Sequence, residues 1–181
     1  MENALKFSLF LRVNNTKEKM LGFDYGYWEV AIEKHGRIKL PTMLLKSLAE
    51  DDRKSFVITP GFGNHIALWT MKAYQKQIDY LNSLDRNIIA IKKYRNAFLT
   101  RNTFVECDSQ DRLVIPKTFM ELYHIDREVV LLLDNGKIEL WNSEEYHKEF
   151  DMTPEELNQL NEAIHLGQFN TARKEETNEL P

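Results

Sequence analysis

Two short segments of the chain each place a carboxylate four residues ahead of an arginine. Glu33 precedes Arg37 in the first segment, and Asp108 precedes Arg112 in the second. Across a tight turn, a carboxylate can hold a guanidinium through two parallel hydrogen bonds and so fix the direction of the arginine. An arginine held in this way loses less entropy when it meets a phosphate or a guanine edge. The same pair can also be only a structural clip that pins a hairpin, and the residue types leave both interpretations open.

Basic side chains are denser around the first arginine than around the second. The first segment adds Lys34, His35 and Lys39. The second adds Lys117 and carries a further acid, Asp111. Because phosphate contacts depend on cationic side chains, we predict that the first segment contacts nucleic acid more strongly than the second.

Both segments belong to a longer internal repeat. Residues 30–41 read V-A-I-E-K-H-G-R-I-K-L-P and residues 105–116 read V-E-C-D-S-Q-D-R-L-V-I-P, with matching positions 75 apart. A second block, I-A-L-W at 66–69, returns as I-E-L-W at 138–141, with an offset of 72. Two copies are too few for a solenoid, so we expect the two halves to pack on each other about a pseudo-twofold axis.

Each copy reads as strand, turn, strand, short helix, β-hairpin and longer helix. Alternating polar and apolar residues predict the strands, and Pro41 and Pro116 are suited to the first turn of a helix. Asn135-Gly136 predicts a tight hairpin turn in the second copy. A helical connector is predicted at 86–101. Residues 72–101, which include it, hold seven Lys or Arg against two Asp, and we interpret this basic run mainly as a solvated helix surface and secondarily as a phosphate-contacting face. A capping box at Thr153 predicts a further helix from Pro154 to about residue 166.

The doubled acidic-x-x-x-Arg-apolar-x-apolar-Pro motif, followed each time by Leu-Trp, resembles the MraZ proteins of bacteria over roughly residues 20–150. The resemblance implies an α+β fold, namely a swapped-hairpin AbrB-like β-barrel built from two tandem half-barrel repeats with flanking helices. It further implies a ring-shaped homo-oligomer that binds DNA repeats upstream of the division and cell-wall gene cluster and regulates transcription. Such a protein would be cytoplasmic and nucleoid-associated.

Two positions depart from the family's pattern. Glu33 stands where the family usually has Asp, and the longer side chain shifts the geometry of its pairing with Arg37. Asp111 stands where the family usually has Gly, a position that Gly36 occupies in the first copy. If the turn requires a positive φ, Asp tolerates it better than most residues do, at some energetic cost.

The repeat and the resemblance together predict the organisation of the chain and its functional residues. The predicted segments are an N-terminal extension (1–19), a first repeat with its helix (20–85), the helical connector (86–101), a second repeat (102–150) and a C-terminal helix with a disordered tail (151–181). The predicted DNA-binding residues are Arg37, Arg112, Lys34, His35, Lys39 and Lys117. The predicted orienting carboxylates are Glu33 and Asp108.

The sequence gives little support for a metal site, a cofactor site or a catalytic site. Five scattered histidines show no metal-ligand spacing, and no glycine-rich phosphate loop is present, so we expect no metal and no cofactor. Cys107 is the single cysteine; we expect it to be structural, and its being alone favours a reducing compartment. No apolar run is long enough to span a membrane. We find no set of acid, base and nucleophile and predict that the protein is not an enzyme.

The net charge of −4 over 181 residues argues at first against a nucleic-acid binder. Residues 151–181, however, hold seven acidic and two basic groups, whereas residues 1–19 hold two acidic and four basic ones. The remaining 20–150 are nearly neutral, with 19 acidic and 18 basic groups. The negative net charge of the whole chain therefore leaves two functional classes open. One is a DNA-binding regulator, and the other is an oligomeric scaffold that kept the barrel and lost DNA binding.

Overall fold

The computed structural model describes residues 25–167. The predicted N-terminal extension, 1–19, and residues 168–181 of the predicted tail lie outside this range. The chain divides into two compact units, Met1–Asn142 and Ser143–Pro181.

Eight strands and six α-helices lie within residues 25–167. The strands are β1 (Tyr25–Glu33), β2 (Arg37–Lys39), β3 (Ser55–Pro60), β4 (Ile66–Thr70), β5 (Thr103–Glu106), β6 (Arg112–Val114), β7 (Glu128–Asp134) and β8 (Lys137–Asn142). The helices are α1 (Thr42–Ser47), α2 (Met71–Ser83), α3 (Ile89–Thr100), α4 (Lys117–Leu122), α5 (Ser143–Phe150) and α6 (Pro154–His165). Single 3₁₀ turns lie at Lys34–Gly36 and Glu50–Asp52. Each predicted strand and helix of the two repeats is present.

The strands form one antiparallel sheet in the order β5-β3-β4-β8-β7-β1-β2-β6. The two edge strands approach each other, because the N–H of Asp108 donates to the carbonyl of Arg112 at 2.8 Å. The sheet is therefore a nearly closed barrel. The first strand of each repeat pairs with the third strand of the other, β1 with β7 and β5 with β3. This exchange confirms the predicted swapped-hairpin barrel of two repeats.

The register of the sheet locates the pseudo-twofold axis. In the β2–β6 pair Ile38 lies opposite Leu113, and these two residues occupy the same position in the two repeats, 75 apart. In the β4–β8 pair Ala67 lies opposite Glu139, which are again equivalent, 72 apart. The axis therefore passes through these two cross-strand pairs, and each repeat contributes half of the barrel.

The interior is filled by the inward-facing residues of both repeats. Ile38 and Leu113 are buried on the axis, and Leu40 and Ile115 follow them into the core. Burying each such side chain stabilises the fold by about 1.5–3 kcal/mol. A second cluster on the outer side of the sheet joins α2 and α3 to β3; its buried members are Val57, Tyr74, Leu81 and Phe98.

The two repeated Leu-Trp blocks lie at the ends of equivalent strands. Trp69 packs edge-on against Phe98 with 5.9 Å between ring centroids and donates its indole N–H to the hydroxyl of Thr59 at 2.8 Å. Trp141 is 4% exposed. Both tryptophans therefore anchor packing.

The second unit is described by α5 and α6. The predicted capping box is confirmed, because the Thr153 hydroxyl accepts from the N–H of Glu156 while the Glu156 carboxylate accepts from the N–H of Thr153. Helix α6 then carries Leu157, Leu160 and Ile164 on one face.

Among residues 25–167, every helix is too short or too polar to cross a membrane.

Candidate nucleic-acid interface

Strands β2 and β6 form a short two-stranded ribbon on the pseudo-twofold axis. Arg37 lies opposite Val114 and Lys39 lies opposite Arg112. The central pair, Ile38 and Leu113, faces the core. Since side chains alternate along a strand, the four flanking residues point outward together. We call residues 37–39 and 112–114 the β2–β6 ribbon.

The turns that lead into the ribbon require left-handed backbone at equivalent positions. Gly36 has φ +72° and Asp111 has φ +60°. This turn position therefore has a positive φ in both repeats, and Asp111 adopts it without being glycine. A Cβ atom at Gly36 would lie 2.5 Å from the sulfur of Met120 and 3.0 Å from the carbonyl oxygen of Ile115, so space as well as φ favours glycine there.

The second-copy carboxylate holds its arginine as the motif suggested. Oδ2 of Asp108 accepts from both Nε and Nη2 of Arg112 at 2.9 Å, and Oδ1 accepts from the backbone N–H of Arg112 at 3.0 Å. These hydrogen bonds hold the pKa of Asp108 below its ordinary value. The carboxylate therefore stays ionised and keeps the guanidinium in one orientation.

The first-copy carboxylate has a different partner from the one expected. Glu33 lies directly opposite Arg37 in the β1–β2 register, yet its carboxylate reaches Nη1 of Arg112 at 3.8 Å. Within residues 25–167 no ion pair joins Glu33 to Arg37. The expected Glu33–Arg37 pairing is thus replaced by a contact between repeats, since the paired ribbon strands bring Arg112 within reach of the longer glutamate side chain.

The predicted DNA-binding residues of the first repeat and Lys117 lie on the ribbon or close to it in the chain. Lys34, His35, Arg37 and Lys39 are all exposed. Lys117 is exposed as well and pairs with Glu121 one turn later, at 3.3 Å. A cleft of about 470 Å³ lies between the two repeats; it is lined by Glu33, Lys39, Thr42, Gln110, Asp111 and Arg112.

Cys107, next to the second motif, is half-buried. Burial, followed by the charges of Asp111 and Asp108, raises the pKa of its thiol to about 11. The sulfur therefore stays protonated at neutral pH and is a poor nucleophile. In the part of the chain that the structure describes, no three His, Cys, Asp or Glu side chains come together as a metal site.

A second polar cluster lies at the other end of the axis, around Glu139. The Glu139 carboxylate accepts from the Lys137 ammonium at 2.7 Å and from the Trp141 indole N–H at 3.1 Å. Although burial raises it, these hydrogen bonds lower the pKa of Glu139 overall. His65 is buried against Trp141 with 4.6 Å between ring centroids, and burial lowers its pKa. Lys137, Glu139 and Trp141 alternate along β8, whereas His65 precedes β4 and joins them only through the β4–β8 pairing, so their spacing in the sequence does not reveal the cluster.

Comparisons with known proteins agree with this architecture. A family model described as "MraZ protein, putative antitoxin-like" matches residues 25–90 and 98–165. The chain is 25% identical to a protein of Cytophaga hutchinsonii over 78% of this chain and 94% of the relative. It is 29% identical to a protein of Christiangramia forsetii, over 77% and 90%, and 27% identical to one of Caldanaerobacter subterraneus, over 80% and 97%. All three relatives are named "Transcriptional regulator MraZ". Since the two matched segments cover well over half of the chain and follow its two structural repeats, the chain belongs to the MraZ family.

Proposed function

We propose that this protein is a sequence-specific DNA-binding transcriptional regulator. The observation that carries the proposal is the β2–β6 ribbon, whose outward face bears Arg37, Lys39 and Arg112 on the pseudo-twofold axis. The major groove of B-DNA admits a two-stranded β-ribbon, and arginine and lysine side chains there bind guanine O6 and N7. The names of the relatives support the same function.

The roles of the individual side chains follow from their surroundings. Arg37 and Lys39 are exposed and would meet base edges first. The rim residues Lys34, His35 and Lys117 would meet phosphates, which position the protein without reading sequence. Asp108 and Glu33 orient Arg112, so that its guanidinium is presented in a fixed direction.

The target and the assembly are further parts of the proposal. Family resemblance favours DNA repeats upstream of the division and cell-wall gene cluster, bound at the nucleoid by a ring-shaped homo-oligomer. Residues 20–150 are nearly neutral, so one ribbon alone would bind weakly. Several ribbons engaged on repeated sites would gain affinity through a raised effective concentration. Light scattering of the full chain measures the assembly directly.

A binding titration on the gene's own upstream DNA tests the function. Fluorescence anisotropy at moderate salt would compare the natural protein with Arg37→Ala plus Arg112→Ala. A matched control, Lys46→Ala plus Lys148→Ala, removes the same charge from exposed positions on α1 and α5. We expect the ribbon variant to lose at least about tenfold in affinity, the worth of one good base contact, while the control stays within about twofold. Equal binding by all three proteins would refute the role of the ribbon.

The alternative is an oligomeric scaffold with the same barrel and no DNA binding. The enclosure of Arg112 by two carboxylates favours it, because that charge is already partly neutralised. An intact oligomer that fails to bind upstream DNA even at low salt would select this alternative.

A further inference from the structure

The outward face of the β2–β6 ribbon carries four side chains that differ in chemistry. Arg37, Lys39 and Arg112 are cationic, whereas Val114 places an isopropyl group among them and is 47% exposed. Arg37 lies directly opposite Val114, and Lys39 lies directly opposite Arg112. Val114 is thus the one apolar side chain among three cationic ones on this face, and it stands where the other repeat has Lys39.

The pseudo-twofold axis relates these four positions as two equivalent pairs. Arg37 and Arg112 are equivalent, 75 positions apart, and both are arginine. Lys39 and Val114 are likewise equivalent but unlike in chemistry. The two arginines therefore repeat the same residue type across the axis, although their ion pairs differ, whereas Lys39 and Val114 are unlike in type. The axis between them is fixed by the buried Ile38–Leu113 pair.

A lysine and a valine contact different bases in the major groove of duplex DNA. A lysine ammonium donates to guanine O6 and N7, whereas an apolar side chain contacts the C5 methyl group of thymine. Residues two apart on a strand are separated by about 7 Å, roughly two base-pair steps. All four side chains therefore address a window of only a few base pairs around the axis.

We propose that Lys39 and Val114 are specificity-determining residues that make the ribbon read two unlike half-sites, with guanine beside Lys39 and thymine beside Val114. The proposal rests on the proposed function, since it requires the ribbon to enter the major groove. It adds that the recognised sequence is symmetric where the two arginines bind and asymmetric at one further position in each half.

Selection from a randomised duplex library tests the proposal with the full chain. The natural protein should enrich an imperfect inverted repeat whose halves differ at one position, thymine in one and guanine in the other. Val114→Lys should replace the thymine by guanine and restore symmetry, and Lys39→Val should replace the guanine by thymine. Both positions are exposed, so unchanged thermal midpoints will show that the variants fold.

A chemical substitution in the DNA isolates the methyl group. Replacing the selected thymine by uracil removes only its C5 methyl, and we expect the natural protein to lose about fivefold in affinity, within the range of a single base contact. Val114→Lys should show no such loss on its own selected site.

Three results would overturn the proposal. They are a perfectly symmetric site for the natural protein, the same site for both variants, or equal affinity for the thymine and uracil duplexes. In each of these the natural protein still enriches a sequence, so the proposed function stands while this inference falls. Enrichment of no sequence at all would overturn both.

Discussion

Arg37 and Arg112 occupy equivalent positions in the two repeats but have different electrostatic surroundings. Two carboxylates lie within 4 Å of Arg112, Asp108 of its own turn and Glu33 of the other repeat. Among the described residues no ion pair is recorded for Arg37. The motif predicted the Asp108–Arg112 contact because both residues lie on one turn. The motif could not predict that Glu33 contacts Arg112, because this contact depends on which strands the two repeats exchange.

This difference predicts that the two arginines contribute unequally to stability. Arg112→Ala removes the hydrogen bonds to Asp108 and the contact to Glu33, so we expect its thermal midpoint to fall by roughly 2–4 °C. Arg37→Ala breaks no recorded ion pair and should leave the midpoint unchanged. Calorimetry or circular dichroism of both variants checks this, and equal midpoints would contradict the asymmetric assignment.

The Asp108–Arg112 ion pair should make the difference in thermal midpoint between the natural protein and Arg112→Ala depend on pH. The folded-state pKa of Asp108 is lowered, so its contribution is fully present above the ordinary value of 3.8 and is lost as pH falls through the folded-state pKa. The gap between the natural protein and Arg112→Ala should therefore be constant from pH 7 to 5 and shrink below about pH 4. A gap that widens on acidification would show that the Asp108 carboxylate is not its source.

At the scale of elements, the two hairpin turns show what the sequence could and could not predict. The repeat offset of 75 aligned Gly36 with Asp111, and both have positive φ. Strand positions followed from alternation, and the Asn135-Gly136 turn adopts positive φ at both residues, as its type requires. The exchange of β1 and β5 between repeats came only from family resemblance, because alternation fixes which residues face inward but not which strand lies alongside.

The equivalent turn positions should respond in opposite ways to substitution. Gly36→Ala combines a positive φ with a Cβ atom 2.5 Å from the sulfur of Met120, so we expect destabilisation by about 1–3 kcal/mol. Asp111→Gly removes the cost of a left-handed aspartate and should be neutral or stabilise by up to about 1 kcal/mol. Urea unfolding of both variants measures these free energies. A destabilised Asp111→Gly would mean that the carboxylate itself, rather than the backbone, matters at this turn.

At the scale of the molecule, pseudo-symmetry places Arg37, Lys39 and Arg112 side by side where the two repeats meet. The axis passes through Ile38–Leu113 beneath the ribbon and through Ala67–Glu139 at the opposite pair of strands. The net charge of −4 arises mainly from residues 151–181, which hold seven acidic groups and two basic ones. The charge composition showed only that DNA binding is not excluded. The strand register was needed to show that three cationic side chains share one outward face.

Site-directed photocrosslinking tests most directly whether the ribbon is the DNA-binding face. A benzophenone side chain placed at Val114, and separately at Lys117, would stand at the ribbon and its rim, and one at Tyr80 on α2 would serve as an exposed control. Anisotropy would first show that each labelled protein still binds upstream DNA. We predict irradiation-dependent crosslinks to DNA from Val114 and Lys117 and none from Tyr80. Crosslinking from Tyr80 with none from Val114 or Lys117 would show that the ribbon is not the DNA-binding face.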